Sequence, residues 1–276
     1  MKKSIIWLAS YPKSGNTWTR VFLANYLMNA KEPLSINQVH NFGMGDSIAR
    51  TYDMVAGRKI DINDVSLTIS LRDKVLGAIV ANNADVNFVK THNAKVSPER
   101  VALIPDKYTR SAVYIMRNPL DMVLSYARHY AISNADAVER ITHPDNANAP
   151  VPGTVAQFLG SWANHVKSWT SYAPWPRLVL RYEDLLSDPH THFSKVLDLI
   201  GVPVDPERLD RAIRFSSFDE LSKQEDTQGF IEKPKESAKF FGKGQKDRWK
   251  TDLEPELADT IRAAFGDTMK RYGYLE

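Results

Sequence analysis

At 276 residues, 43% hydrophobic and 25% charged, the chain is long and apolar enough to bury a core, which excludes a disordered polymer and favours one domain. Its 36 basic and 33 acidic residues nearly cancel, leaving +3, too even a balance for a general nucleic-acid or membrane-surface binder. The absence of cysteine removes disulfides, thiolate nucleophiles and cysteine-held metals, and none of the seven histidines has a metal-binding spacing such as His-Glu-x-x-His. The apolar stretch at residues 4–9 is too short for a signal peptide and is interrupted by Tyr11-Pro12-Lys13. No uncharged apolar run approaches the roughly 20 residues of a bilayer span, so the expectation is a cytoplasmic protein.

Along the chain, residues 5–9 form a run of β-branched and aromatic character ended by Ser10, Tyr11 and Pro12, which predicts a buried strand. Trp18, Val21, Phe22, Asn25, Leu27 and Met28 then recur at helical spacing. The same order of strand and helix recurs at residues 86–90, at 112–116 ahead of a helix opening at Pro119, and at 178–182 ahead of one near Pro189. Alternation of this kind predicts an α/β fold with a central parallel sheet flanked by helices in three layers. Further helical patterns cover 154–172, 207–215 and 253–272. Residues 132–153 and 225–250 read as irregular, the character of functional covers or mobile loops. With no repeat and no flexible linker, residues 1–276 read as a single domain.

The segment Ser10-Tyr11-Pro12-Lys13-Ser14-Gly15-Asn16-Thr17-Trp18 joins the first strand to the first helix, where parallel sheets place their ligands. N–H groups opening that helix can cradle a phosphate, Lys13 adds charge, and Ser14 and Thr17 add hydroxyls. A Walker A loop carries its lysine after the second glycine; here the lysine precedes Ser-Gly, so the register differs and the usual magnesium-binding hydroxyl is missing. The bland alternative is a polar turn with an exposed lysine. The segment resembles the 5′-phosphosulfate loop, Tyr-Pro-Lys-Ser-Gly-Thr-Thr-Trp, of the sulfotransferase family that uses 3′-phosphoadenosine 5′-phosphosulfate (PAPS). Seven of eight residues match, the departure being Asn16. The resemblance implies a P-loop-like version of the three-layer fold. It also implies that Lys13 holds the bridging and phosphate oxygens, that Ser14, Gly15, Asn16 and Thr17 contact the 5′-phosphate, and that Trp18 stacks on adenine.

Other blocks follow in the family's order, so that the resemblance spans residues 5 to about 250. Arg117-Asn118-Pro119 through Ser125 puts an arginine at a strand end before a Pro-started helix, where its planar fork can grip a phosphate. It looks like the family's 3′-phosphate motif, with Arg117 and Ser125 as ligands. In Lys90-Thr91-His92, residues two apart on an extended strand share a face, and the ammonium disfavours imidazolium, keeping His92 in the neutral form a base requires. The Val-Lys-Thr-His pattern resembles the segment supplying the family's catalytic histidine, which implies catalytic roles for His92, Lys90 and Lys13. His40, His129, His143, His165, His190 and His192 lack such spacing and read as structural or exposed. Tyr182 in Tyr-Glu-Asp-Leu, and Ser216 and Phe218 in Ser-Ser-Phe, resemble family contacts to the nucleotide, whereas Glu183 and Asp184 read as capping and packing elements. Residues 233–250 carry seven basic residues against Glu236 and Asp247. There Lys243 and Gly244 resemble the family's closing Arg-Lys-Gly segment over the 3′-phosphate. Gly242 stands where that arginine is expected, leaving Lys239 or Lys246 to replace it, and Asp247 stands where a second glycine is expected.

The implied reaction transfers a sulfuryl group from PAPS to a hydroxyl or amine of a small-molecule acceptor and releases 3′-phosphoadenosine 5′-phosphate (PAP), without a metal. The alternatives are an ATP-dependent small-molecule kinase and a catalytically silent nucleotide-binding module. Residues 36–76, 132–153 and 225–241 fall where family members build substrate walls, and Phe42, Met44, Tyr52, Met54 and Phe230 would suit an apolar or aromatic acceptor. No dimer motif is evident, which leaves the oligomeric state open.

Overall fold

The computed structural model describes residues 4–82, 84–234, 239–242 and 244–276, without the side chains at 40 and 41. In chain order its strands are β1 (Ser4–Ser10), β2 (Met44–Gly45), β3 (Val86–Thr91), β4 (Thr109–Met116), β5 (Ala147–Asn148), β6 (Gln157–Phe158) and β7 (Arg177–Arg181). The α-helices are α1 (Asn16–Leu27), α2 (Ala49–Ala56), α3 (Val65–Val80), α4 (Pro119–Tyr130), α5 (Asn134–Thr142), α6 (Trp162–Thr170), α7 (Tyr182–Ser187), α8 (Pro189–Ile200), α9 (Pro206–Phe215), α10 (Phe218–Gln228), α11 (Trp249–Asp252) and α12 (Pro255–Arg271).

A five-stranded sheet of order β2-β3-β1-β4-β7 forms the middle layer, and every pairing in it is parallel. All seven residues of β1 are buried, as an apolar run at the centre of a doubly covered sheet requires. Side chains alternate across a strand, so Ile5, Trp7 and Ala9 enter the core on one face and Ile6 and Leu8 the core on the other. The first core includes residues of α3, α4, α5, α6 and α12, the second residues of α1, α8 and α9. The chain leaves β1 for β3 on one side and returns to β4 on the other, so ligand-bearing loops converge beyond the carboxyl ends of adjacent strands.

Several expectations change. The irregular stretch at 132–153 contains α5, opened by a reciprocal cap between Ser133 and Asp136, and β5, which pairs with β6. The pairing of β6 and the Ser161 cap postpone the helix expected from residue 154 until Trp162. Tyr182 opens α7 instead of ending a strand, and α10 carries regular structure into 225–228. Among the described residues, no helix is long and apolar enough to cross a membrane.

Candidate active site

A cavity of about 1480 Å³ opens beyond β3, β1, β4 and β7, lined by Lys90 and His92 after β3, Lys13 after β1, Arg117 after β4 and Tyr182 after β7. The loop after β1 is held open by backbone geometry. Lys13 has φ 66° and Gly15 φ 102°, and a Cβ on Gly15 would lie 2.9 Å from the Tyr182 ring, so glycine is required there twice over. No side chain caps α1 and its first turn carries no carboxylate, which leaves its N-terminal dipole available to an anion. Asn16 ties the loop to β1, its Nδ2 donating to Leu8 O at 2.8 Å and to Ser10 Oγ at 3.3 Å. Thr17 Oγ1 accepts from Arg20 Nη2 at 3.2 Å.

Lys13 Nζ lies 3.6 Å from the Phe240 ring centroid. Burial, then the cations of Arg128, Arg117 and Lys90, bring its pKa down to about 7. Arg117 Nη1 donates to Lys13 O and to Ser125 Oγ, both at 3.3 Å, and its guanidinium lies 4.4 Å from the Tyr182 ring centroid. Arg117 Nε and Ser14 Oγ are buried without hydrogen-bond partners among the described residues. Trp18, Tyr182 and Phe218 form an aromatic cluster with ring centroids 5.3–6.4 Å apart. Gly244, at φ +56°, passes so close that a Cβ there would lie 2.5 Å from Phe218 Cδ2.

At the end of β3, His92 Nδ1 donates to Ser10 O at 2.8 Å, which leaves Nε2 as the ring's lone-pair nitrogen. Burial and the Lys90 ammonium hold its pKa well below the usual histidine value. Thr91 and Asn93 alternate to the opposite side. Thr91 Oγ1 and Asn93 Nδ2 both donate to Asp46 Oδ2, at 2.7 and 3.1 Å, and Asp46 also forms a buried ion pair with Arg72 at 2.6 Å. His165 Nε2 donates to His92 O at 3.0 Å, and Tyr114 Oη donates to His165 Nδ1 at 2.9 Å.

Thus Lys13, Gly15, Asn16, Thr17, Trp18, Lys90, His92, Arg117, Ser125, Tyr182, Phe218 and Gly244 all line one cavity. Two expected residues do not. Ser14 is fully buried, and the Ser216 hydroxyl donates to Ala212 O at 2.8 Å in the last turn of α9. Lys243 lies outside the described residues. Glu183 accepts the Asn118 N–H at 3.0 Å and Asp184 pairs with Arg181, so both are structural, as their sequence context implies. None of Phe42, Met44, Tyr52, Met54 and Phe230 lines the cavity: Phe42 stacks on Phe88, Tyr52 and Phe230 are core residues, and Met44 and Met54 are exposed elsewhere.

Sequence reasoning missed several wall residues. Glu232 bonds both Arg20 nitrogens, at 2.9 and 2.7 Å, and stands 3.5 Å from Lys90; although burial alone would raise its pKa, these cations hold the carboxyl well below the usual range. His129 is a wall residue, not a surface one; burial, then Lys13 and Lys90, bring its pKa down to about 3. Arg128 and Arg248 add two guanidinium groups. The region from Tyr130 to Gln157 adds a polar wall that includes Asp136, Glu139, Asp145, Asn146 and Asn148.

A sequence profile of the sulfotransferase domain matches residues 3–273. Sulfotransferase 2A2 of Rattus norvegicus is 29% identical over 166 residues, covering 57% of this chain and 55% of that protein, so the match spans about half the relative's length. The 3-alpha-hydroxysteroid sulfotransferase of Cavia porcellus is 23% identical over 283 residues, covering 95% of this chain and 83% of that protein. In three dimensions the chain resembles mouse sulfotransferase SULT7A1 complexed with PAP, with TM-score 0.63, 19% identity, and coverage of 98% of this chain and 86% of the other. It also resembles retinol dehydratase in complex with androsterone and the inactive cofactor PAP, with TM-score 0.66, 18% identity, and coverage of 98% and 82%. At these identities the structural likeness is one of fold.

Proposed function

Because the chain belongs to the sulfotransferase domain family, we propose that it transfers the sulfuryl group of PAPS to a hydroxyl or amine of a small-molecule acceptor and releases PAP. The observation that carries this reading is that a phosphate-type loop and a histidine with a free Nε2 line the same cavity.

The residues present fit the donor nucleotide. The uncapped start of α1, with Lys13, suits the 5′ anionic end; the Trp18, Tyr182 and Phe218 rings suit a purine; Arg117, with an unpartnered buried Nε, suits a second phosphate. When bound, PAPS supplies an electrophilic sulfuryl group on the oxygen that bridges to phosphate. His92 Nε2 takes the proton of the acceptor hydroxyl or amine. Its tautomer is fixed by the bond from Nδ1 to Ser10 O, so no rotation is needed before transfer. Lys13 and the first N–H groups of α1 face the charge that develops on the leaving phosphate, and being preorganised they need no rearrangement as it grows.

The wall contributed by residues 130–157 is polar, with Asp136, Glu139 and Asp145 set against Arg140. It suits a hydroxylated, amine-bearing acceptor better than a flat apolar one. Turnover on an amino sugar above that on a simple phenol is the expected outcome, and the reverse order would overturn this part of the reading.

The test of the reaction is incubation with labelled PAPS and an acceptor library, with and without EDTA. Label transfer that survives the chelator is expected, because Lys13, Arg117 and the α1 dipole supply the positive charge in this reading. Dependence on ATP and magnesium would favour a kinase, and nucleotide binding without transfer to any acceptor would favour a silent binding module. In thermal shift, PAP should stabilise the protein more than 5′-AMP does, because only PAP fills both ends of the site.

A further inference from the structure

The positive charge on the cavity wall is unevenly balanced. Lys90 and Arg20 share Glu232, and Arg248 is paired with Asp252. Arg128 lines the cavity with an exposed side chain, and among the described residues its guanidinium has no ion pair and no hydrogen bond. It sits one helical turn beyond Ser125 on α4, and therefore on the face of that helix whose Ser125 hydroxyl meets Arg117. After burial, Arg128 is the strongest electrostatic influence on Lys13, while Arg248 and Arg117 are the charges felt by Arg128 itself. Cations gathered in this way repel one another unless an anion comes between them.

Gly242 supplies a second, independent observation. Its φ lies outside the left-handed region, so its backbone conformation does not call for glycine. A Cβ at 242 would lie 3.2 Å from Arg128 Nη2, a tight contact that the guanidinium would have to relieve by shifting a few tenths of an ångström. The chain at Phe241 and Gly242, part of a strap that follows α10, therefore passes directly against the Arg128 guanidinium, and the missing side chain leaves it room. The two lysines expected to replace an arginine at 242 are placed otherwise: Lys239 pairs with Asp226 at 2.9 Å, and Lys246 is absent from the cavity lining.

We propose that Arg128 is a ligand of the nucleotide's 3′-phosphate, acting beside Arg117 and Ser125, and that Gly242 is small in order to seat its guanidinium. This rests on the PAPS reading above. In this arrangement the cation comes from the last turn of α4 and the space from the chain at Gly242.

The test is titration of PAP and 5′-AMP against the wild type and three variants. Arg128→Ala should weaken PAP about 10- to 150-fold, the loss of one charge-assisted contact, and leave 5′-AMP unchanged. Gly242→Arg alone should also weaken PAP, because its side chain meets Arg128. In the double variant, Arg128→Ala with Gly242→Arg, affinity for PAP should recover most of the loss, since an arginine again reaches the site from the strap. Unchanged PAP affinity in Arg128→Ala, or equal losses for PAP and 5′-AMP, would overturn the assignment, and additive losses in the double variant would overturn the shared seat. A wild type that binds PAP no better than 5′-AMP is a different result: it removes the PAPS reading itself. Near-UV circular dichroism of each variant separates these outcomes from misfolding.

Discussion

At the scale of single residues, the site places ionisable groups where their charged forms are disfavoured until a ligand arrives. Lys13, with a pKa of about 7 in the folded chain against an ordinary 10.5, binds fewer protons when folded than when unfolded across that interval. Stability of the ligand-free protein should therefore rise with pH from about 7 to 10.5, and Lys13→Met should flatten the slope, as read by denaturant unfolding at several pH values. An anion beside Lys13 favours the ammonium again, so PAP binding near pH 7.5 should take up protons in calorimetry across buffers of different ionisation enthalpy. No uptake in the wild type would detach Lys13 from the bound anion. His92 responds in the opposite functional sense: its lowered pKa keeps Nε2 unprotonated well below pH 6.5, so the acid limb of the rate profile should fall below that value. His92→Ala should lower turnover about 10²- to 10⁴-fold while melting temperature and PAP affinity stay near wild type. Near-wild-type turnover in that variant would assign the proton to another group.

At the scale of elements, the described residues after α10, 229–234, 239–242 and 244–248, form a strap fastened by carboxylates. Glu225 accepts the N–H groups of Phe240 and Phe241 at 2.6 and 2.8 Å, and Asp121 of α4 accepts those of Asp247 and Trp249 at 2.7 and 3.0 Å. Together with Glu232 on Arg20, these bonds bring Phe240 over Lys13. Asp247 has φ 65°, a conformation that costs a non-glycine residue roughly 1–2 kcal/mol, though aspartate bears it better than most. This explains why a glycine is the residue to expect there. Asp247→Gly should keep or raise the melting temperature and Asp247→Val should lower it; the opposite order would show that the side chain, not the backbone, decides the position. The strap was illegible as an element because two of its fastenings, Glu232 to Arg20 and Asp121 to Asp247, join residues far apart in sequence, while its own run of lysines reads as a solvated loop.

At the scale of the whole molecule, the parallel sheet gathers the loops and a buried network behind it holds the strand end that carries His92. Asp46, next to the edge strand β2, holds Thr91 and Asn93 on either side of His92, and Arg72 of α3 neutralises it. Asp46→Asn leaves the Arg72 charge unpaired in the core and should cost about 3–5 kcal/mol of stability. Thr91→Val removes one hydrogen bond and should cost about 0.5–1.5 kcal/mol, with a fall in kcat larger than any change in PAP affinity. A Thr91→Val enzyme with unaltered kcat would show that the strand backbone alone suffices to place His92.

The sequence by itself determined the parallel α/β sheet and the glycine-bearing loop after its first strand. It also determined that Lys90 and His92 share a side, because strand alternation, helical spacing and turn chemistry all act between residues within a few positions of one another. Residues 132–153 escaped the reading because α5 buries only Ala137, Val138 and Ile141, too sparse a pattern to separate a helix from a loop. Ser216 escaped it for another reason: a motif match cannot tell that the hydroxyl bonds back to its own helix. Only the tertiary structure decided which cations among the described residues lack partners, which carboxylates fasten the strap, and that Gly242 lies against the Arg128 guanidinium. Most of those outcomes, such as Glu232 on Arg20 and Asp121 on Asp247, depend on distances between segments more than a hundred positions apart, which are fixed when the two cores pack against the sheet.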